Sequence, residues 1–202
     1  MERGFDLSET LCRPFPGSQP IRMSSTLILY ATTEGQTARI AERIARTLRN
    51  RGHAAETCQA KEAPAGLEAA KYDGVIVGAS IHYGRHPAYL RSLVRSHRAA
   101  LEARPSAFFS VSLSGGGPGA KPEAARRYLE VFLRQTGWHP RQTATFAGAL
   151  PFSKYGAFKR MLMVVFVGLG GGDTDASRDY EYTDWDAVER FAETFAQQLR
   201  PS

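Results

Sequence analysis

The chain has 202 residues, 43% hydrophobic and 23% charged, which is enough apolar surface for one packed domain and excludes a disordered chain. Its two cysteines, Cys12 and Cys58, fit neither a C-x-x-C nor a zinc-ligand spacing, so neither a disulfide framework nor a metal knot is expected and a reducing, cytoplasmic compartment fits best. The excess of 26 Lys and Arg over 20 Asp and Glu gives a net charge of +6, which favours anionic partners without choosing among them; the longest apolar run, residues 161–169, is far short of the about 20 residues that a membrane-crossing helix needs.

Residues 1–22 contain Pro14, Pro16, Gly17 and Pro20 and no apolar core followed by a small-residue cleavage site, so they read as a loose tail rather than a secretory signal. Met23, just before the first strand-like run, is an alternative start. Residues 26–31 (TLILYA) form a buried strand. Residues 36–51 follow as a helix, with Ile40, Ala41, Ile44, Ala45 and Leu48 on one face and Gly52 at its end. A second strand fits residues 53–58, and the continuously apolar run 74–80 (GVIVGAS) is a third, central one. Residues 87–101 read as a helix with Pro87 in its first turn, 106–113 (SAFFSVSL) as a fourth strand, 122–136 as a helix ended by Gly137, and 142–150 (QTATFAGAL) as a fifth strand. Residues 184–199 close the chain as a helix with Thr183 or Asp184 as its N-cap.

Strands alternating with helices predict an α/β domain over residues 23–202, a doubly wound five-stranded parallel sheet of order 2-1-3-4-5, with ligands at the carboxyl ends of strands 1, 3 and 4. Residues 151–182 break the alternation and read as an insertion before the last helix. Within it, residues 173–184 do not form a calcium loop, because Arg178 stands where glycine is needed and Asp184 where glutamate is needed. No metal site is expected.

The turn after the first strand, Thr32-Thr33-Glu34-Gly35-Gln36-Thr37, opens a helix directly. Threonine hydroxyls, successive amides and the positive end of the helix dipole suit a phosphate monoester, and Gly35 relieves crowding. Neither the Walker loop nor the Rossmann fingerprint occurs at this turn, which favours a mononucleotide. Residues 28–37, an apolar pair and an aromatic followed by [ST]-x-x-G-x-T, resemble the flavodoxin signature, and that resemblance implies FMN. Two further loops then fall where the flavin ring would sit. They are Ser80, Ile81, His82, Tyr83 and Gly84 after strand 3, and Ser112, Leu113, Ser114, Gly115 and Gly116 after strand 4. No catalytic side chain is expected, since a flavin carries the chemistry.

The insertion places Phe152, Tyr155, Phe158, Met161, Leu162 and Val165 at helical spacing, with Lys154, Lys159 and Arg160 among them. Such a helix suits either an anionic membrane surface or packing on its own domain. Arg91, Arg95 and Arg98 also share one helix face, the usual pattern of solvated surface.

Together, residues 32–37, 75–84 (VIVGASIHYG), 105–113 (PSAFFSVSL), 147–151 (AGALP), 171–175 (GGDTD) and 182–185 (YTDW) resemble the family of menaquinone-dependent protoporphyrinogen IX dehydrogenases, flavodoxin-like enzymes of bacterial haem synthesis. The N-terminal tail has no counterpart there, and residues 114–119 (SGGGPG) are richer in glycine than that family. The resemblance implies oxidation of protoporphyrinogen IX to protoporphyrin IX in three two-electron steps, with electrons passed through FMN to menaquinone or another membrane quinone. It also implies a peripheral position on the cytoplasmic face of the bacterial inner membrane, and no nucleic-acid partner. Arg85, Lys154, Lys159 and Arg160 are candidates, by charge and placement, for the two propionates of the substrate. A flavodoxin-type one-electron carrier and an NAD(P)H:quinone oxidoreductase are the alternatives on the same scaffold.

Overall fold

The computed structural model describes residues 23–63, 69–154, 164, 168, 171 and 173–199, with no side-chain detail for Lys154. The expected tail over residues 1–22 lies outside them. The elements run β1 (Ser25–Ala31), α1 (Gln36–Asn50), β2 (Ala54–Gln59), β3 (Gly74–Ser80), α2 (Ala88–Ser96), α3 (Arg98–Glu102), β4 (Ser106–Ser112), α4 (Pro122–Thr136), β5 (Gln142–Ala147), β6 (Ala149–Leu150) and β7 (Tyr180–Glu181). The last, α5, spans Trp185–Ala196.

Five strands make one parallel sheet in the order β2-β1-β3-β4-β5, as the alternation of elements requires. The pleat of β1 sends Ile28 to one face, where it meets Ile40, Ile44, Leu48, Val188 and Phe195 from α1 and α5. Leu27 and Leu29 go to the other face, with Leu90, Val94, Phe132 and Trp138. Both faces are covered, so β4 is buried at every position and β3 at all but Ser80. Gly78 is required inside β3 because Phe109, its partner across the ladder, lays its ring where a Cβ would stand, at 2.0 Å.

Two expected elements are divided. The single helix over 87–101 is broken at His97: the Ser96 hydroxyl and the His97 ring both bond the Leu93 carbonyl, at 2.9 Å each, and this local bonding ends α2 before α3 begins. The single strand over 142–150 is broken at Gly148. There the chain leaves β4, and β6 instead pairs antiparallel with β7, Leu150 opposite Tyr180, in a two-stranded ribbon.

Beneath the ribbon lies a third, small core of Leu150 and Phe152, against which Leu113, Val164, Ala176, Tyr180 and Tyr182 pack. Phe152, the first aromatic of the expected interfacial helix, is fully buried here in a short 3-10 turn, Phe152–Lys154, with its ring edge-on to Tyr180. Asp179 accepts from the Ser153 amide at 2.7 Å and from its hydroxyl at 2.6 Å, closing the base of the insertion. Tyr155, Phe158, Lys159, Arg160, Met161, Leu162 and Val165 lie outside the described residues. No helix among the described residues is long and apolar enough to cross a membrane.

Candidate functional site

β1 ends at Ala31 and delivers the next residues directly into the amino end of α1. Gly35, at φ 98°, takes the left-handed conformation that starts the helix. The Thr32 hydroxyl accepts from the Gly35 amide at 2.9 Å, closing the loop on itself. The first turn of α1 contains no acidic residue, so its amides and dipole remain available to an anion. Thr37 is fully buried, and its hydroxyl has no partner among the described residues. A buried orphan hydroxyl in the wall of a cavity is a ligand contact in waiting.

That cavity, about 420 Å³, is lined by Thr32, Thr33, Glu34, Gln36 and Thr37 after β1, by Ser80, Ile81, His82, Tyr83 and Gly84 after β3, and by Val111, Ser112 and Leu113 at the end of β4. Gly148 and Ala149, from the break between β5 and β6, complete it. The Ser112 hydroxyl is a second buried donor without a partner among the described residues. Such an arrangement can hold a phosphate at the α1 end and a flat, largely apolar group between the other loops.

The loop after β3 is a tight turn. His82 and Arg85 exchange both backbone hydrogen bonds, at 2.9 and 3.2 Å, with Tyr83 at φ 48° and Gly84 at φ 73°. Tyr83 is the one non-glycine residue with positive φ among those described, and the residue is 87% exposed at the cavity wall. A left-handed tyrosine is strained, and the surrounding structure must over-determine it. His86 does so from below: its Nε2 lies 2.9 Å from the Ser110 hydroxyl, its ring is edge-on to Phe108 and Phe132, and Arg91 donates to its carbonyl at 2.7 Å. Burial, helped by the nearby Arg91 charge, lowers the imidazole pKa to about 3, so His86 is a neutral anchor rather than a general base.

Among the expected site residues, Gly35, Ser114, Gly115 and Gly116 are not part of this wall. Gly115 and Gly116 instead let the loop after β4 pass close beneath the β5–β6 corner, where a Cβ on Gly115 would come 2.6 Å from the Phe146 carbonyl oxygen and one on Gly116 2.7 Å from the Ala147 Cβ. Gly117, at φ 85°, sits under the Tyr182 ring. The glycines at 115–117 therefore have a packing reason. Arg85 is exposed beside the cavity and outside its wall, while the Lys154 side chain, Lys159 and Arg160 lie outside the described residues. Val111, Gly148 and Ala149 were not anticipated; the glycine inside the run 142–150 was the one sequence signal for a break there.

The flavodoxin domain family matches residues 27–177. Protoporphyrinogen IX dehydrogenase (quinone) of Leishmania major is 39% identical over 175 residues, covering 84% of this chain and 74% of that protein. The protein of the same name from Escherichia coli K12 is 35% identical over 173 residues, covering 85% of this chain and 94% of its own length. The chain belongs to the protoporphyrinogen IX dehydrogenase (quinone) family of flavodoxin-domain proteins. Oxidised flavodoxin 1 from Bacillus cereus has the same fold, with a TM-score of 0.51 at 16% identity over 88% of this chain and all of that one. In this dehydrogenase-family chain the flavodoxin match begins within β1 and runs through the loops that line the cavity into the insertion.

Proposed function

We propose that this protein oxidises protoporphyrinogen IX to protoporphyrin IX with FMN as cofactor and a membrane quinone, menaquinone or another, as acceptor, in haem synthesis. The observation that carries the cofactor is the cavity itself: the amino end of α1 and the orphan hydroxyl of Thr37 stand at one end of a space bordered by the loops after β3 and β4. Thr32, Thr33 and Thr37 with the amides of Gln36 and Thr37 in the first turn of α1 would hold the phosphate, and the Tyr83 turn and residues 111–113 would border the ring. When bound, FMN supplies reversible two-electron chemistry. The protein's share is to fix the tetrapyrrole against the exposed edge of that site and to keep competing oxidants away. Over three steps the substrate loses six electrons and six protons, which reduce three quinones to quinols.

The substrate is supported by the names of the relatives, and a propionate contact by the exposed Arg85 beside the cavity. Lys154, Lys159 and Arg160 are proposed to complete the cationic set and to meet anionic lipid, giving a peripheral position on the cytoplasmic face of the inner membrane, where a quinone can be reached without leaving the bilayer.

An anaerobic assay of the purified protein with protoporphyrinogen and a quinone, followed by porphyrin fluorescence, tests substrate and acceptor together. Turnover only with a nicotinamide donor would make the protein an NAD(P)H:quinone oxidoreductase. Flavin binding without porphyrin formation would leave an electron carrier.

A further inference from the structure

The first turn of α1 is tied to a strand 145 residues further along the chain. Gln36, only 8% exposed, uses both hydrogens of its side-chain amide, one to the Thr183 hydroxyl at 2.7 Å and one to Glu181 Oε1 at 3.1 Å. Its amide oxygen accepts from Arg39 Nη1 at 3.1 Å, and the same nitrogen of Arg39 reaches Glu181 Oε2 at 2.7 Å. The Thr183 hydroxyl passes the chain of bonds on, donating to the Ala147 carbonyl at 2.8 Å at the corner where β5 ends. Four residues from α1 and the β7 segment thus form one closed polar cluster.

Gln36 is the first residue of α1. Its backbone N–H belongs to the turn whose amides have no partner within the helix, and these are the groups available to an anion. Gln36 also borders a second cavity of about 420 Å³, with Arg39, Tyr180 and Glu181, which shares Glu34, Gln36 and Ala149 with the first. Fixing that side chain at three points holds the orientation of the first-turn amides before any ligand arrives, which lowers the ordering cost of binding. The cluster also solves an electrostatic problem, because Glu181 brings a carboxylate close to a site suited to phosphate. Burial alone would raise the Glu181 pKa, but hydrogen bonds from Arg39 and Gln36 outweigh it and keep the group ionised and paired.

We propose that Arg39, Glu181 and Thr183 are positioning residues for the phosphate end of the cavity, so that phosphate binding after β1 and docking of the β6–β7 ribbon are linked. The proposal rests on the FMN reading above. None of the three lines the first cavity, so each acts through Gln36. Linkage is reciprocal: what the ribbon does for the phosphate, the phosphate does for the ribbon.

The test uses the full chain, stripped of flavin and titrated with FMN and with riboflavin, which lacks the phosphate. Thr183→Val removes the central hydroxyl at nearly constant volume. It is expected to weaken FMN by about three- to tenfold, the range of one lost hydrogen bond, and to leave riboflavin within about twofold. Hydrogen exchange at residues 179–183 is expected to slow when FMN binds the parent protein, to slow much less with riboflavin, and to lose most of the FMN effect in the variant. Should Thr183→Val fail to fold, Arg39→Gln on the exposed face of α1 decides the matter, because it leaves Glu181 without its cationic partner beside the phosphate; it should weaken FMN selectively, and adding Glu181→Gln should restore part of the loss. An unchanged ratio of FMN to riboflavin affinity in these variants, or ribbon exchange slowed equally by both ligands, overturns the latch. A parent protein that binds FMN and riboflavin equally overturns the phosphate-loop reading itself, and the latch with it.

Discussion

The loop after β1 and the corner where β5 passes into β6 line one cavity, yet they are held in different ways. The loop is closed by near neighbours, Thr32 accepting from Gly35 three residues on, and its shape follows from one left-handed glycine and the start of a helix. The corner is closed from a distance: Thr183 reaches Ala147 across 36 residues, Tyr182 donates its amide to Gly148, and Phe152 fills the core beneath. The loop keeps its turn as long as its own strand and helix stand, and only the Gln36 side chain at its end is fixed from a distance. A corner closed by long-range contacts is only as firm as the small core under it, so it is the part of the site that can open by itself.

Phe152→Ala should break that comparison most sharply. Emptying a fully buried aromatic site costs about 3–5 kcal/mol in a core of ordinary size, and here the loss falls on the third core alone. Hydrogen exchange should rise steeply at residues 149–150 and 180–182 while β1, β3 and β4 keep their protection. A uniform rise across the sheet would mean that the corner is not a separate unit.

The turn after β3 supplies an intermediate case, local in its hydrogen bonds but anchored at long range through His86 and Ser110. Because the imidazole pKa is lowered from 6.5 to about 3, the unfolded chain takes up this proton first as pH falls. The contribution is therefore full above pH 6.5 and lost between pH 6.5 and about 3, up to on the order of 5 kcal/mol. Urea midpoints measured across that range should fall more steeply for the parent than for His86→Gln. Parallel curves would show that the anchor carries no pH dependence.

Thr37→Val attacks the local half instead. Losing one hydrogen bond to a charged phosphate should weaken FMN by about 1.5–3 kcal/mol, with riboflavin nearly unaffected and the β6–β7 ribbon unchanged in exchange. Equal weakening of both ligands would argue that Thr37 supports the cavity as a whole. The smallest effect is expected from Asp184→Ala, which removes the carboxylate that accepts from the Ala187 amide at 2.9 Å. Loss of this cap should cost about 1 kcal/mol by thermal unfolding and leave FMN affinity within about twofold, since the cap serves α5 and touches neither region.

Where structure follows from near neighbours, the residues by themselves were sufficient. The apolar runs of β1, β3 and β4, the helical faces of α1 and α4, the stop at Gly137 and the Asp184 cap are local signals, and they led to the strand order because right-handed crossovers leave few ways to cover both faces of a parallel sheet. That Thr32, Thr33, Glu34, Gln36 and Thr37 share one cavity wall with His82, Tyr83 and Gly84 was legible for the same reason: they lie in short connections at the carboxyl ends of identifiable strands.

Tertiary structure alone decided the rest. Within the run 142–150 Gly148 signals a break, but nothing there says that Ala149 and Leu150 go on to pair with Tyr180 and Glu181. The glycines of residues 115–117 look like a flexible flavin-facing loop, but their small size answers to Phe146, Ala147 and the Tyr182 ring, which approach from elsewhere in the chain. Phe152 has the spacing of an interfacial helix and becomes core because Leu150 and Tyr180 meet over it. Gln36 reads as one more polar residue of a phosphate loop, and only the folded chain supplies Glu181 and Thr183 to hold it. Periodicity and turn chemistry report what a residue does with neighbours a few positions away; which distant segment closes a corner depends on the free energy of the whole packed arrangement, and no local pattern encodes it.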